Sequence, residues 1–192
     1  MGDASSPPPH PPPGHPPPGH PPPRPTVALG DLASLVGTTL GPTEGVEVTQ
    51  ERVNTFADAT GDHQWIHVDV ERANAESPFG GPIAHGYLTL SLVNDLLPKM
   101  LEVTGTSMGV NVGVNKVRFP SPVPVGSLVR GTAEVMSVDE VGGGTQAVVR
   151  VSVTVDGAPK PSCVVDTVSR FFPCSPRPVR RVRDCAHGPG SR

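Results

Sequence analysis

A carboxylate and an imidazole stand five residues apart in the stretch TGDHQWIH, residues 60–67. They are Asp62 and His67, and they follow a short predicted helix in which Val53, Phe56 and Ala57 share one apolar face. Imidazole titrates near neutral pH, and a nearby carboxylate can orient it and exchange protons with it. The spacing therefore makes these two residues a candidate acid–base pair in a loop beyond a helix end. On spacing alone, a capping aspartate and a surface histidine remain the alternative.

A second chemical feature is the stretch GGPIAHG, residues 80–86, which leads into a strongly apolar segment. The first N–H groups of a helix have no partner inside it and lie at the positive end of its dipole. A glycine at that position, Gly86, lets a substrate carbonyl approach closely. The segment can thus polarise a carbonyl and stabilise an oxyanion. The alternative is that Gly86 only permits tight helix packing.

Metal chemistry finds less support in the sequence. His63 and His67 are four residues apart, as zinc ligands on a helix can be, but no third ligand follows at the usual spacing. We therefore predict no metal site. His85 is interpreted first as a structural residue at the start of the second helix.

Two kinds of pattern predict the fold class. Residues 84–97, AHGYLTLSLVNDLL, are apolar nearly all round a helix and should be buried on most sides, with Pro98 marking an end or a kink. Four segments then alternate apolar and polar residues, over residues 110–119, 128–138, 146–155 and 163–171. These elements predict an α+β domain with an antiparallel sheet around a long buried central helix.

The two ends of the chain differ in composition from its centre. Thirteen of the 26 prolines lie in residues 1–25, and residues 173–192 hold five arginines and few apolar residues. Neither segment can bury much apolar surface, so we predict that both are disordered and flank one domain over residues 26–172. That domain carries nine Lys and Arg against sixteen Asp and Glu, a net charge of −7. An acidic domain poor in aromatic residues argues against nucleic-acid binding.

The sequence also bears on the cellular compartment. The three cysteines are odd in number and lack metal-type spacing, which indicates a reducing compartment without disulfides; they are Cys163, Cys174 and Cys185. The N-terminus has no signal-peptide pattern, and Asn94 and Asp95 interrupt the longest apolar run. We expect a cytoplasmic protein without a membrane span.

Three motifs in order resemble the MaoC-like family of (R)-specific enoyl-CoA hydratases and 3-hydroxyacyl-thioester dehydratases. ATGDHQWIHVD, residues 59–69, resembles the hydratase motif usually written G-D-x-N-P-x-H. PIAHG, residues 82–86, resembles the second signature of the family, and NKVRFPSPVPVG, residues 115–126, resembles its following strand and turn. The resemblance covers about residues 30–172 and is closest to the branch that includes nodulation protein N.

This resemblance implies a single hotdog domain, a homodimer and a substrate carried on coenzyme A or acyl carrier protein. It implies that Asp62 and His67 activate one water, which adds to a trans-2-enoyl thioester to give an (R)-3-hydroxyacyl thioester. The Gly86 N–H corresponds to the donor that polarises the thioester oxygen, and no metal or redox cofactor is required. Lys116 and Arg118 alternate on one strand face and are expected, with Arg130 on the next strand, to approach the carrier phosphates.

The chain departs from the family pattern at several positions. Gln64 and Trp65 replace the common Asn and Pro, and Trp65 is expected to reshape the loop or line the acyl entrance. Some relatives carry a serine on the buried helix that supports the catalytic pair, whereas the equivalent turn here holds Asn94, with Ser91 nearby. The residues predicted to contact substrate are Gln64, Trp65, His85, Asn94, Lys116 and Arg118.

Two other functions remain open at this point. A hotdog thioesterase would need a carboxylate on or beside the buried helix, and Asp95 is the candidate. A non-catalytic acyl-thioester-binding protein would result if the Gln64–Trp65 change closed the water site.

Overall fold

The central helix and the four long strands after it follow in the order that the sequence patterns predict. The computed structural model describes residues 23–174, so the expectations for residues 1–22 and 175–192 lie outside the described chain. The elements in chain order are β1 (Thr26–Ala28), a 3-10 helix (Leu29–Leu35), β2 (Thr39–Leu40), β3 (Val46–Glu47), α1 (Gln50–Thr60), α2 (Trp65–Val68), α3 (Val70–Glu76), α4 (Gly86–Ser91), α5 (Val93–Met100), β4 (Glu102–Thr104), β5 (Thr106–Arg118), β6 (Leu128–Val141), β7 (Gly144–Val155) and β8 (Cys163–Pro173).

The main sheet is antiparallel and has six strands. Its order is β2-β6-β7-β8-β5, and β3 pairs with β6 beside β2. β6 and β7 form a hairpin around Gly143, whose φ of 83° is a conformation that favours glycine. β5 pairs only with β8 among the described strands and forms one edge of the sheet. The predicted α+β class with an antiparallel sheet is confirmed.

The central helix differs from the single segment predicted over residues 84–97. It begins at Gly86, and Leu92 separates α4 from α5 with a 3-10-type bond from the Asp95 N–H to the Leu92 oxygen. It continues past Pro98 to Met100. Pro98 has no N–H to donate to the Asn94 oxygen, so the helix continues through it with one hydrogen bond fewer.

The core lies between this helix and the inner face of the sheet. Leu96 and Met100 are buried, and a side chain on Gly131 of β6 would come within 3.2 Å of both. Glycine at residue 131 therefore lets the helix approach the sheet closely. The helix is not buried all round, since Tyr87 is 72% exposed. That exposed aromatic side chain lies one residue beyond Gly86, at the start of α4.

Contacts at both ends extend the fold slightly beyond residues 26–172. Arg24 donates to Glu102 at 2.9 Å and to the Pro98 oxygen at 3.0 Å, which ties the chain before β1 to the segment after α5. β1 itself pairs in parallel with β4. At the other end the Cys174 N–H donates to the Gly105 oxygen. Within residues 23–174 no helix is long and apolar enough to cross a membrane.

Candidate active site

Asp62 is placed by the end of α1. Thr49 caps the start of this helix by accepting the Arg52 N–H, and Gly61 ends it with a φ of 78°. Asp62 follows immediately in an exposed turn, where its Oδ1 accepts the Gln64 N–H at 3.4 Å. The left-handed conformation of Gly61 thus ends the helix and places Asp62 in the turn beyond it.

His67 lies on α2, a helix of one turn, rather than in the loop that the sequence suggested. Its side chain is buried, and its Nδ1 lies 2.6 Å from the carbonyl oxygen of Ile83. A carbonyl oxygen can only accept, so Nδ1 carries the proton and Nε2 keeps a free lone pair. The Gln50 amide donates to the His67 backbone oxygen at 2.8 Å and holds the helical turn from α1.

The segment before α4 is fixed against two other parts of the chain. The Ile83 N–H donates to the Ile66 oxygen, and the Ala84 N–H donates to the Val123 oxygen. Ile83 also forms an isolated antiparallel bridge with Pro124. These bonds bring the second motif against α2 and the turn after β5, so that the three sequence motifs meet at one place.

A cavity of about 360 Å³ opens at this meeting point. Its wall includes His67, the Gly86 backbone and Thr89 from one side, and Phe119 and Ser162 from the other. A Cβ added to Gly86 would lie 3.3 Å from the Phe119 ring, so a larger residue would crowd the cavity wall. The first N–H of α4 can therefore meet a ligand oxygen in a space bordered by His67.

The acid–base groups are close together. A carboxylate oxygen of Asp62 and ring nitrogens of His67 and His85 lie within 4.8 Å of one another. This is the one group of potential metal ligands found in residues 23–174. His67 Nδ1 and His85 Nε2 each contact a carbonyl oxygen and so carry protons. The other two ring nitrogens, His67 Nε2 and His85 Nδ1, keep free lone pairs, so His67 Nε2 beside the Asp62 carboxylate can accept a proton.

Burial sets the protonation state of His67. It lowers the pKa of this imidazole below the ordinary histidine value, and the hydrogen bond to Ile83 and the charge of Asp62 only partly oppose the shift. His67 is therefore neutral at physiological pH, with Nε2 as a proton acceptor.

Comparison with known proteins identifies the family. The sequence profile of the MaoC like domain matches residues 31–157, well over half of the chain. The chain belongs to the MaoC-like family.

Individual relatives agree with this assignment. 3-Hydroxyacyl-thioester dehydratase Z of Mycobacterium tuberculosis is 52% identical over 145 residues, which cover 75% of this chain and 95% of that protein. Nodulation protein N of Rhizobium leguminosarum bv. viciae is 48% identical over 134 residues, 68% of this chain and 81% of the relative. A MaoC-like dehydratase structure from Rhodospirillum rubrum superimposes with a TM-score of 0.62 at 20% identity, over 77% of this chain and 98% of that one. The hotdog fold is confirmed.

Gln64 and Trp65 lie outside the wall of the site cavity. Gln64 is exposed, and its backbone N–H rather than its side chain meets Asp62. The Trp65 ring packs beneath the Arg72 guanidinium, 4.3 Å from the ring centroid. The expectation that Trp65 lines an acyl entrance thus finds no counterpart in the described cavities, whereas a role in shaping this turn agrees with its packing.

Of the helix residues considered as supports for the pair, none reaches the site cavity. The Ser91 hydroxyl is exposed and donates to the Tyr87 oxygen, and Asn94 borders a second cavity. The helix residue whose hydroxyl group does border the site is Thr89, which is buried and donates to the His85 oxygen at 3.2 Å. Its one sequence signal is a β-branched hydroxyl residue three positions after Gly86 in an apolar helix.

Lys116 and Arg118 are exposed near the end of β5, just before Phe119 of the site cavity. Arg130 does not join them, because β6 is separated from β5 by β7 and β8 in the sheet. It forms an ion pair with Asp156 at 2.7 Å instead. The expected cluster of three basic residues is therefore reduced to two.

The carboxylate that a thioesterase would need is directed elsewhere. Asp95 is exposed and pairs with Lys99 at 2.7 Å, one turn along α5. It borders neither the site cavity nor the second cavity. His63 is likewise exposed, 3.8 Å from Asp58, and does not share a site with His67.

Proposed function

We propose that this MaoC-like hydro-lyase catalyses the reversible hydration of trans-2-enoyl thioesters to (R)-3-hydroxyacyl thioesters. The observation that carries the proposal is that the Asp62 carboxylate lies within 4.8 Å of a ring nitrogen of His67, and that His67 borders one cavity together with Gly86. The names of the relatives support the reaction class, since one is a 3-hydroxyacyl-thioester dehydratase and a solved structure of the same fold is an (R)-hydratase from A. caviae.

In the proposed reaction each residue has a distinct part. His67 Nε2 accepts a proton from water while Asp62 orients that water, and the oxygen adds to C3 of the enoyl group. The thioester oxygen gains negative charge and accepts a hydrogen bond from the Gly86 N–H. The proton passes through the Asp62–His67 pair to C2 on the same face. Water thus supplies OH to C3 and H to C2, which requires neither a metal nor a redox cofactor.

The acyl chain is placed in the second cavity, which has a volume of about 260 Å³. Thr89 borders the site cavity, and Val93, one helical turn later, borders the second cavity. Both cavities therefore lie along the central helix. The second cavity is largely apolar, with Asn94 at its wall and Ala147, Val149 and Phe171 among its other lining residues. Lys116 and Arg118 lie near the site and meet the phosphates of coenzyme A or of an acyl carrier protein's prosthetic group.

A homodimer accounts for the exposed edge of the sheet. Met108, Val110, Val112 and Val114 of β5 are each at least 40% exposed, although their alternation predicted a buried face. An unpaired, apolar edge strand is a template for pairing with another chain. When a second copy pairs its own β5 antiparallel to this one, the interface is twofold symmetric and the sheet continues across it.

Crotonyl-CoA provides the direct test of the proposed function. Purified protein should remove the enoyl-thioester absorbance band and form (R)-3-hydroxybutyryl-CoA, identified by chiral analysis. A stable band with both crotonyl-CoA and a longer enoyl-CoA would contradict the proposal and favour the non-catalytic binding protein. Release of free thiol would instead indicate a thioesterase.

The pH dependence of hydration should reflect the buried base. Because the pKa of His67 is lowered, its neutral form persists below the ordinary histidine range, and the acid limb of kcat/KM should fall below about pH 6.5. Rates with crotonyl-CoA between about pH 5 and 9 test this. A His63→Gln variant, which changes an exposed histidine of the same loop, should give the same limb. An acid limb of kcat/KM with an apparent pKa at or above the ordinary histidine value would contradict the prediction.

The same shift has a defined sign for stability. The unfolded chain binds the histidine proton more tightly than folded His67 does, so the contribution to stability is present above the ordinary histidine pKa and is lost as the pH falls.

The acyl cavity can be tested by filling it. Ala147 is fully buried on its wall, so Ala147→Leu should narrow the cavity. We expect kcat/KM for an eight-carbon enoyl-CoA to fall by about 10-fold or more, while crotonyl-CoA, the internal control, changes by less than about 3-fold. Equal losses with both substrates would place the acyl chain elsewhere.

A further inference from the structure

His85 lies behind the proposed catalytic pair and contacts both of its members. It is 2% exposed, at the residue before α4. Its Nε2 lies 2.9 Å from the backbone oxygen of Asp62, and its ring centroid lies 3.9 Å from that of His67, with the planes inclined by 31°. The Phe56 ring packs near it at a centroid distance of 5.1 Å. One side chain thus touches the carboxylate's backbone and the imidazole's ring.

The hydrogen bonds of His85 define its tautomer. The Asp62 carbonyl oxygen only accepts, so Nε2 carries the proton. Nδ1 is buried and has no hydrogen-bond partner among the described residues.

Packing alone does not account for a histidine at this position. A buried polar atom without a partner destabilises the folded protein, and an apolar ring of similar size would avoid that loss. A phenylalanine would also pack against Phe56 and His67. What histidine adds is the N–H donated to Asp62, and this bond spans 23 residues of sequence.

We propose that His85 is a positioning residue that fixes Asp62 and His67 relative to each other. Its N–H holds the turn that carries the Asp62 carboxylate, and its ring covers one face of His67, which limits tilting of the imidazole and keeps water from that face. This inference rests on the proposed hydratase function. It concerns orientation and not contact with substrate, because His85 does not line the site cavity.

Two substitutions separate the two contacts. His85→Phe keeps a ring against His67 and removes the donor to Asp62. His85→Gln keeps an amide N–H that can reach the Asp62 oxygen and removes the ring. We expect each to lower kcat for crotonyl-CoA hydration by about 10- to 100-fold with KM changed by less than about 3-fold, since a small misplacement of catalytic groups costs this much.

Stability and the pKa of His67 distinguish positioning from a structural role. His85→Phe should melt at or above the wild-type temperature despite its low kcat, because it removes an unpaired buried nitrogen. NMR titration of labelled histidines should show the pKa of His67 raised toward its ordinary value in His85→Gln, where water reaches the ring, and still lowered in His85→Phe. The control, His63→Gln, should match wild type in each measurement.

Each outcome bears on the proposal. Wild-type kcat in His85→Phe would overturn the part played by the hydrogen bond, and an unchanged His67 pKa in His85→Gln would overturn the part played by the ring. His85→Leu also lacks the donor and replaces His85→Phe if that variant is poorly folded. If wild type itself does not hydrate enoyl-CoA, the proposed function fails, whereas the NMR titration still tests the contact between the two rings.

Discussion

Replacing Asp62 by asparagine, or His67 by alanine, is expected to lower kcat for crotonyl-CoA hydration by about 10²–10⁴-fold, the usual effect of removing a positioned acid or base. Asp62→Asn keeps the shape of the side chain and the acceptor for the Gln64 N–H but removes the charge. His67→Ala removes Nε2, the one ring nitrogen of this residue that is free to accept a proton.

Folding must be checked separately for the two variants. Asp62 is exposed, so its variant should melt close to wild type, whereas His67 is buried and its loss leaves a small cavity. Circular dichroism and thermal melting establish the folded fraction before rates are compared. The matched control is His63→Gln in the same loop. Activity within a few-fold of wild type in either folded variant would remove that residue from the mechanism.

Introducing charge on the free edge of β5 should dissociate the proposed dimer. Val112 and Val114 are 47% and 44% exposed, and burying a valine stabilises by roughly 1.5–3 kcal/mol. In a twofold interface the double variant Val112→Lys, Val114→Lys places four lysines across the axis. We expect the dimer dissociation constant to rise by at least about 10³-fold, measured by size-exclusion chromatography with light scattering.

A second double variant controls for added charge. Val36→Lys, Val70→Lys changes two valines of similar exposure away from this edge and should remain dimeric. An unaltered dimer in the β5 variant, or a monomeric wild type, would contradict the prediction. The hydratase rate of the monomeric variant then shows whether the partner subunit contributes to the active site, whose cavity includes Phe119 directly after β5.

Local signals in the sequence predict much of this fold. The four long strands follow period-two alternation, and α1 contains the apolar face of Val53, Phe56 and Ala57 that predicts it. The irregular turn at Leu92 and the helix beyond Pro98 have no such signal, because packing against the sheet decides them. α2 is also missed, since four residues are too few to show helical periodicity.

The site was less accessible to sequence reasoning because its contacts are distant along the chain. Asp62 and His67 are visible from type and spacing, and their roles stay predictions. The bonds from Gln50 to His67 and from His67 to Ile83 join residues 17 and 16 positions apart, with no pattern to reveal them. Arg130 was misplaced for a related reason, since β5 and β6 follow each other in sequence but are not neighbours in this sheet.

The single tryptophan of the chain sits on the turn between the two residues of the proposed catalytic pair. Its ring rests under the guanidinium of Arg72, so its surroundings change whenever α2 moves relative to α3. Fluorescence excited at the red edge of the aromatic band therefore comes from this segment alone. The fluorescence of Trp65 therefore reports on this loop, and ligand binding can be followed by stopped-flow measurement of that fluorescence without an attached dye.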